Sequence, residues 1–486
     1  MKFGQTSVII FVSKVFASVI GFCTTIYFAR ELGAEVLGIY ALVLTLVGWL
    51  LLISELGIGQ ATTKRLSEGD EQGAYLAASV VWITGLTVLF SVGIVVFQPV
   101  FDRYVSEYSQ YTSFPIAAVI VGLLVTMLLF KFCYRVLKGE RLVYIVGLLN
   151  TLQVGGQSLI QLGLVLAGAG LLGLFVGYAV GGVLVGIVGL YFITTRPTVP
   201  SKRHFKSLYD YAKFSWLGSL KSRTFNDVDI LLLGVFVQSS LVGVYSVAWS
   251  IAKFLELFGG AISETMFPEI SHTSAAETDN SVSGLIEDSL AYTGLIAIPG
   301  LVGGGVLADR LLRIYGPEFV RGAAVLALLI LATLLHTYLK QLLNGLNGID
   351  RPDLSFRINA VFIVLNGSLN VLLIPQFGIE GAAAASVASV GVSLLLAYRV
   401  LKRLVPFRTP RAEIGRQVVA ALLMGGLILG GLELITAAGL LNHNFALVLL
   451  LVMGGAGVYF VTLLGISRRF RETVERNLPA RLSLSN

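Results

Sequence analysis

Apolar runs of about 20 residues recur along the whole chain, each long enough to cross the hydrocarbon core of a bilayer as a helix. They occupy residues 7–28, 36–57, 75–97, 116–134, 144–167, 171–193 and 214–237 in the first half. In the second half they occupy 245–267, 285–307, 323–343, 357–374, 382–401, 418–439 and 445–466. The pattern predicts an all-α, polytopic membrane protein of about fourteen transmembrane helices. The seventh and eighth runs are amphipathic and stand apart from the rest.

Polar positions inside the runs follow helical spacing, which places them on shared faces. In the seventh, Ser215, Ser219, Ser222, Asn226 and Asp229 form one stripe, bordered by Arg223 and Asp227. The first aligns Ser7, Lys14, Ser18, Gly21 and Thr25. The eighth aligns Ser246, Ser250, Lys253, Gly260 and Glu264, with Glu256 adjacent. The tenth carries Thr333, His336, Thr337, Lys340 and Asn344. Ionisable groups at such depth are costly and normally face a bundle interior or a wet cavity. The stripes are therefore expected to line a central cavity whose cationic wall is Lys14, Arg223, Lys253 and Lys340. Asn226, Asp227, Asp229, Glu256 and His336 are its polar or ion-coupling candidates. The competing reading closes Arg223 on Asp227 and Lys253 on Glu256 as packing pairs, and lets Lys14, Lys221 and Lys340 snorkel to an interface.

The second half of the chain echoes the first. Gly38-Ile39-Tyr40-Ala41 is matched by Gly243-Val244-Tyr245-Ser246, and Gly170-Leu171-Leu172-Gly173 by Gly378-Ile379-Glu380-Gly381. Gly139-Glu140-Arg141 is matched by Gly348-Ile349-Asp350-Arg351. The expected organisation is a six-helix lobe over 1–195, a basic linker over 196–213 and a second six-helix lobe over 214–405. A terminal helix pair with a basic tail fills 406–486. Repeated lobes with a site between them are a common transporter architecture.

Composition agrees: of 486 residues, 56% are hydrophobic and only 13% charged, where soluble domains carry about 25% charged residues. The net charge of +7 resides mostly in loops and linkers. With the N-terminus cytoplasmic, the outside loops hold only Arg30, Arg103, Arg310, Arg313 and Arg321, while the 196–213 and 399–416 segments and the tail lie inside. This distribution predicts a multi-pass cell-membrane protein with both termini cytoplasmic. The basic linkers orient the chain and meet anionic headgroups; they do not indicate a nucleic-acid partner. No cleavable signal peptide is expected, because the first run is too long and leads into further spans.

Candidate enzyme chemistry is sparse. Cys23 and Cys133 lie in separate apolar runs and read as packing residues, and the four histidines show no ligand spacing. No metal, cofactor or catalytic residue is predicted. Gly168-Ala-Gly170-Leu-Leu-Gly173 matches a dinucleotide fingerprint but falls in a turn between two spans. Asn366-Gly-Ser368 matches a glycosylation sequon inside a span.

Several ordered segments carry a family resemblance. Phe28-Ala29-Arg30-Glu31-Leu32-Gly33, then Leu37-Gly38-Ile39-Tyr40 and Glu55-Leu56-Gly57-Ile58, resemble the opening of polysaccharide-biosynthesis flippases, O-antigen flippases among them. Asn226-Asp227-Val228-Asp229-Ile230-Leu231-Leu232 resembles their seventh helix, and Tyr315-Gly316-Pro317-Glu318-Phe319 and Gly378-Ile379-Glu380-Gly381-Ala382-Ala383 their later turns. The resemblance covers roughly residues 1–405. These proteins belong to the multidrug/oligosaccharidyl-lipid/polysaccharide (MOP) exporter superfamily.

The resemblance implies a MATE-like pair of six-helix lobes working by alternating access, with no covalent catalytic residues. The implied cargo is a polyprenyl- or dolichyl-linked sugar, its phosphate or pyrophosphate meeting the cations while the tail stays in the bilayer. Glycosyltransferases or a polymerase of the same pathway are the implied partners, and H⁺ or Na⁺ the implied coupling ion. A multidrug cation antiporter and a peptidoglycan-precursor flippase of the same superfamily are the alternatives. The basic residues within the spans and the extra helix pair argue against the first.

Overall fold

The computed structural model describes residues 3–256, 260, 262–263, 269–273, 279–439, 441 and 443–477; the side chains of 3–16, 214, 217–219, 221–222, 279–281, 476 and 477 lie outside the description. All regular structure among the described residues is helical. The chain divides into two compact units, Met1–Gly243 and Val244–Asn486.

The first unit holds α1 (Phe3–Glu55), α2 (Ile58–Glu68), α3 (Gln72–Val96), the short α4 (Gln98–Tyr104), α5 (Ile116–Gly139), α6 (Val143–Leu166), α7 (Gly170–Phe192) and α8 (Lys202–Phe236). Helix α9 (Ser239–Phe254) begins at its end. The second unit continues with α10 (Asp279–Val306), the short α11 (Ala308–Arg313), α12 (Ala323–Gly348) and α13 (Pro352–Leu404). It closes with α14 (Arg411–Ala437), α15 (Asn444–Ile466) and the charged α16 (Arg468–Asn477). The linker expected from the repeat, 196–213, thus falls inside the first unit.

Among the described residues, ten helices are long and apolar enough to cross a membrane. Two of them hold two predicted spans each. Helix α1 has 53 residues, about 80 Å of α-helix, far more than a bilayer spans, and it breaks at Gly33 (φ 82°, ψ 174°). Helix α13 breaks at Gly378 (φ 57°, ψ −133°). Both conformations are open to glycine and strained for any residue with a Cβ. At Gly378 the chain folds back on itself, so that Asn366 donates from Nδ2 to Ser386 and Ser389. Position 366 of the sequon is accordingly a buried packing residue. Helix α8, home of the seventh predicted run, and α9, where the eighth begins, are not among the ten; charge within α8 dilutes its hydropathy, and run 245–267 extends into residues outside the description.

Within the first unit, glycine allows helices to approach closely where lipid supplies no hydrophobic drive. A Cβ on Gly177 of α7 would lie 2.8 Å from Gln161 Cα on α6. The same Gln161 donates to Tyr40 of α1 (2.8 Å) and to the Leu174 carbonyl (2.7 Å). A buried amide satisfied on both sides ties three helices together. Gly38 and Gly243, equivalent in the repeat, pack against the backbones of Ser239 and Ala34 respectively.

In the second unit, α14 and α15 pack on α10 through Met424, Ile428, Leu447 and Leu451 against Ile298 and Val302. Helix α16 is anchored by polar contacts. Glu413 accepts from the Ser467 hydroxyl (2.6 Å), the Tyr292 and Thr473 hydroxyls share a hydrogen bond, and Arg469 pairs with Asp288. Cys133 is buried beside the Gly186 carbonyl, whereas Cys23 is exposed on α1. Packing inside the protein thus accounts for Cys133, whereas Cys23 shares its exposed face of α1 with Val19 and Phe22.

Candidate functional site

The polar stripe of the seventh run lies on α8, entered through Ser201, whose hydroxyl and backbone N–H both meet His204 Nδ1 at 2.9 Å. Helix α8 extends well ahead of its apolar segment, which carries the charged residues into the bundle. Arg223 Nη1 lies 2.9 Å from Asp227 Oδ2, one turn further along. Both side chains are shielded, with 27% and 18% exposure. Asp227 is about 14 Å from the end of α8 at the helical rise per residue, near the middle of a 30 Å core. The guanidinium lies over Gly48 of α1, in space a side chain at 48 would occupy. Its Nε–H has no acceptor among the described residues.

A second charged layer adjoins this pair. Arg135 Nε of α5 lies 3.5 Å from Glu55 Oε1 at the last turn of α1. Gly59 of α2 makes room there: a Cβ would fall against the Glu55 carboxylate and lie 3.1 Å from Arg135 Cγ. Lys131, one turn before Arg135 and so on the same face of α5, interacts electrostatically with Glu55, Asp227, Arg135 and Arg223. The first unit therefore gathers three cations and two carboxylates from α1, α5 and α8.

None of Glu55, Lys131 and Arg135 is on the list of candidates drawn from the stripes. Lys131 and Arg135 stand four apart at the end of the fourth run, where they pass for loop charges. Glu55 ends the second run within the Glu55-Leu56-Gly57-Ile58 motif. Reading the i,i+4 pair as a face would have found both cations.

The second unit holds its own cluster. Glu256 Oε1 is 3.8 Å from His336 Nδ1 and 3.9 Å from Lys340 Nζ. Gly260, from the eighth-run stripe, faces the same ammonium: its Cβ would lie 3.8 Å from Lys340 Nζ. Lys253 Nζ stands 5.1 Å from the centre of the Trp249 ring, a cation–π distance.

The remaining stripe residues divide. Asp229 is buried and Asn226 half-buried on α8. Thr333 and Thr337 are fully buried and spend their hydroxyls on the carbonyls of Leu329 and Thr333. They pack helices, so only His336 and Lys340 remain of the tenth-run face as charge-bearing groups. Ser215 donates to the Gly57 and Ala212 carbonyls at 3.3 and 3.2 Å, and Thr25 to the Gly21 carbonyl at 2.7 Å. The side chains of Ser7, Lys14, Ser219, Lys221 and Ser222, and residue Glu264, lie outside the described residues.

A lone Arg or Lys at mid-membrane costs about 2.5–3.5 kcal/mol on insertion scales. Asp227, Glu55 and Glu256 offset that cost. Arg and Lys then supply donors that suit phosphate oxygens, and Arg does so in a planar, bidentate fashion.

Comparison with known proteins follows the same line. The model of the family described as polysaccharide biosynthesis protein matches residues 3–274. The chain is 34% identical over 487 residues to "Probable flippase AglR" of Haloferax volcanii, covering 98% of each. It is 29% identical to "Probable low-salt glycan biosynthesis flippase Agl15" of the same organism, covering 98% of this chain and 99% of that one. Among solved structures, the lipid II flippase MurJ in an inward closed conformation superposes with a TM-score of 0.77 at 15% identity, over 96% of this chain and 100% of that one. An inward-facing multidrug resistance MATE transporter of the MOP superfamily gives 0.62 at 14% identity, over 79% and 94%.

Proposed function

The chain belongs to the polysaccharide biosynthesis protein family, as a multi-pass membrane flippase rather than an enzyme, and we propose that its cargo is a polyprenyl- or dolichyl-(pyro)phosphate-linked sugar or oligosaccharide. The lipid-linked sugar passes from the cytoplasmic to the outer leaflet of the cell membrane for assembly of a surface glycan or glycoprotein. Both termini lie in the cytoplasm. Movement follows alternating access: charged interior faces open to one side and then to the other, with the lipid tail left in the bilayer.

The observation that carries this reading is the excess of cations over carboxylates in the first unit, whose two ion pairs lie against Gly48 and Gly59. Lys131, Arg135 and Arg223 face only Glu55 and Asp227 within that network. An anionic headgroup gains from such a surplus, because Coulomb attraction strengthens where water is scarce. A cationic drug is repelled by it, which disfavours the antiporter alternative. Lys14, Lys253 and Lys340 extend the cationic set, and Asp229, Glu256 and His336 are the candidates for H⁺ or Na⁺ coupling. Glycosyltransferases or a polymerase of the pathway supply and consume the cargo.

Reconstitution in proteoliposomes tests the proposal. A fluorescent polyprenyl-pyrophosphate sugar is expected to become accessible to an outside reagent at a protein-dependent rate. Efflux of organic cations without movement of that lipid would replace this reading with the antiporter.

A further inference from the structure

The charges of the first unit form a graded series rather than a loose patch. At its outer end Arg135 and Glu55 stand 3.5 Å apart, Arg135 being about 6 Å from the C-terminal end of α5 at the helical rise. At its inner end Arg223 and Asp227 are 2.9 Å apart. Each end is balanced, one cation to one carboxylate, and each lies over a glycine, Gly59 at one and Gly48 at the other. Lys131, half-buried, lies one helical turn deeper than Arg135 on the same face of α5 and interacts electrostatically with both pairs. Among the described residues no carboxylate lies within ion-pair distance of its ammonium. The surplus positive charge of the network therefore resides on Lys131.

We infer that Lys131 is the specificity-determining cation of the transport path, receiving the phosphate or pyrophosphate between an entry pair, Arg135–Glu55, and a deep pair, Arg223–Asp227. The inference rests on the cargo class proposed above and names the group that reads it. Two balanced pairs confine the uncompensated charge of the empty path to a single half-buried ammonium. An arriving anion finds one uncompensated ammonium, and then the Arg223 Nε–H that lacks an acceptor among the described residues. Glu55 and Asp227 compete with the anion for the two guanidinium groups, so neither pair holds it irreversibly. Binding strong enough to recruit the headgroup and weak enough to release it is what a carrier requires.

A purely structural Lys131 would serve the two pairs through packing and charge balance, without touching the cargo. The two roles separate experimentally. The full chain is reconstituted with a fluorescent polyprenyl-pyrophosphate sugar, and transport is followed for wild type, Lys131→Gln and Lys131→Arg. In parallel, inorganic pyrophosphate is titrated against each detergent-solubilised protein by tryptophan fluorescence. Loss of one charged hydrogen bond predicts a fall of about tenfold or more in transport and in pyrophosphate affinity for Lys131→Gln. Lys131→Arg is expected to recover most of both, with all three proteins equally folded by thermal melting. Unchanged transport and affinity in Lys131→Gln would overturn the assignment, as would equal loss in both variants. If wild type moves no such lipid while pyrophosphate binding still depends on Lys131, the cargo is wrong and the residue's role stands.

Discussion

The guanidinium of Arg223 on α8 occupies the space that a side chain at Gly48 of α1 would fill. Glycine at 48 is therefore part of the site: it lets a cation lie flat against a neighbouring helix and reach Asp227 at 2.9 Å. In Gly48→Ala the new methyl would push aside the far end of a flexible side chain rather than backbone. The gain in helix propensity from Gly to Ala, about 1 kcal/mol, offsets much of the displacement, so little stability is expected to be lost, while transport falls by about tenfold. Melting temperature and lipid-flipping rate, measured on one preparation, check the split.

Neutralising the cations directly gives a second expectation. Arg223→Gln leaves Asp227 without its ion-pair partner, and Lys253→Gln removes the ammonium beside Trp249. Each is expected to lower transport of a pyrophosphate-linked sugar by about tenfold or more, at normal protein levels. Full transport in both variants, with normal levels by immunoblot, would take these residues off the cargo path.

Acid sensitivity should arise outside the membrane segments, at Glu71. Its carboxylate accepts from His204 Nε2 (3.1 Å) and pairs with Arg203, tying the turn before α3 to the start of α8. The hydrogen bond from His204 is the main cause holding Glu71 below the usual carboxylate value of 4.5. A depressed folded pKa means that this stabilisation is complete above the unfolded value and is lost as pH falls through the folded one. Melting temperature measured from neutrality to about pH 3 should decline less steeply for Glu71→Gln than for wild type. Identical slopes would remove Glu71 from the acid response.

The break in α13 offers a test that is purely conformational. At Gly378 (φ 57°, ψ −133°) the nearest atom to an added Cβ is 3.9 Å away, so any penalty comes from the backbone and not from crowding. Gly378→Ala is expected to cost roughly 1–3 kcal/mol, read as a lower melting temperature in detergent.

Hydropathy made most of the fold legible. Helices α3, α6, α7 and α15 begin and end close to the predicted runs, because a span must satisfy its backbone internally across a fixed thickness; α5 ends five residues later than its run and α14 begins seven earlier, where charged residues continue the helix past the apolar segment. The breaks at Gly33 and Gly378 were legible as turns between runs for the same reason. The site was legible in part. Helical spacing placed Arg223 and Asp227 one turn apart, and they pair, as the competing packing-pair reading expected. It could not show that Glu256 would stand near His336 and Lys340, because that meeting of α12 with the stretch after α9 depends on tertiary packing. Nor could it separate Thr333 and Thr337, bonded to their own helix, from charged neighbours on adjacent positions. Lys131 and Arg135 were visible as residues but masked by position, since cations near a helix end ordinarily belong to the headgroup region.

Charge selectivity tests the account most directly. In one set of proteoliposomes, the flipping rate of a polyprenyl-pyrophosphate sugar is compared with that of the same sugar on the same lipid through an uncharged ether linkage. The charged lipid is expected to move at least about tenfold faster, with the advantage lost in Lys131→Gln. Equal rates for the two lipids in the wild-type protein would contradict the account.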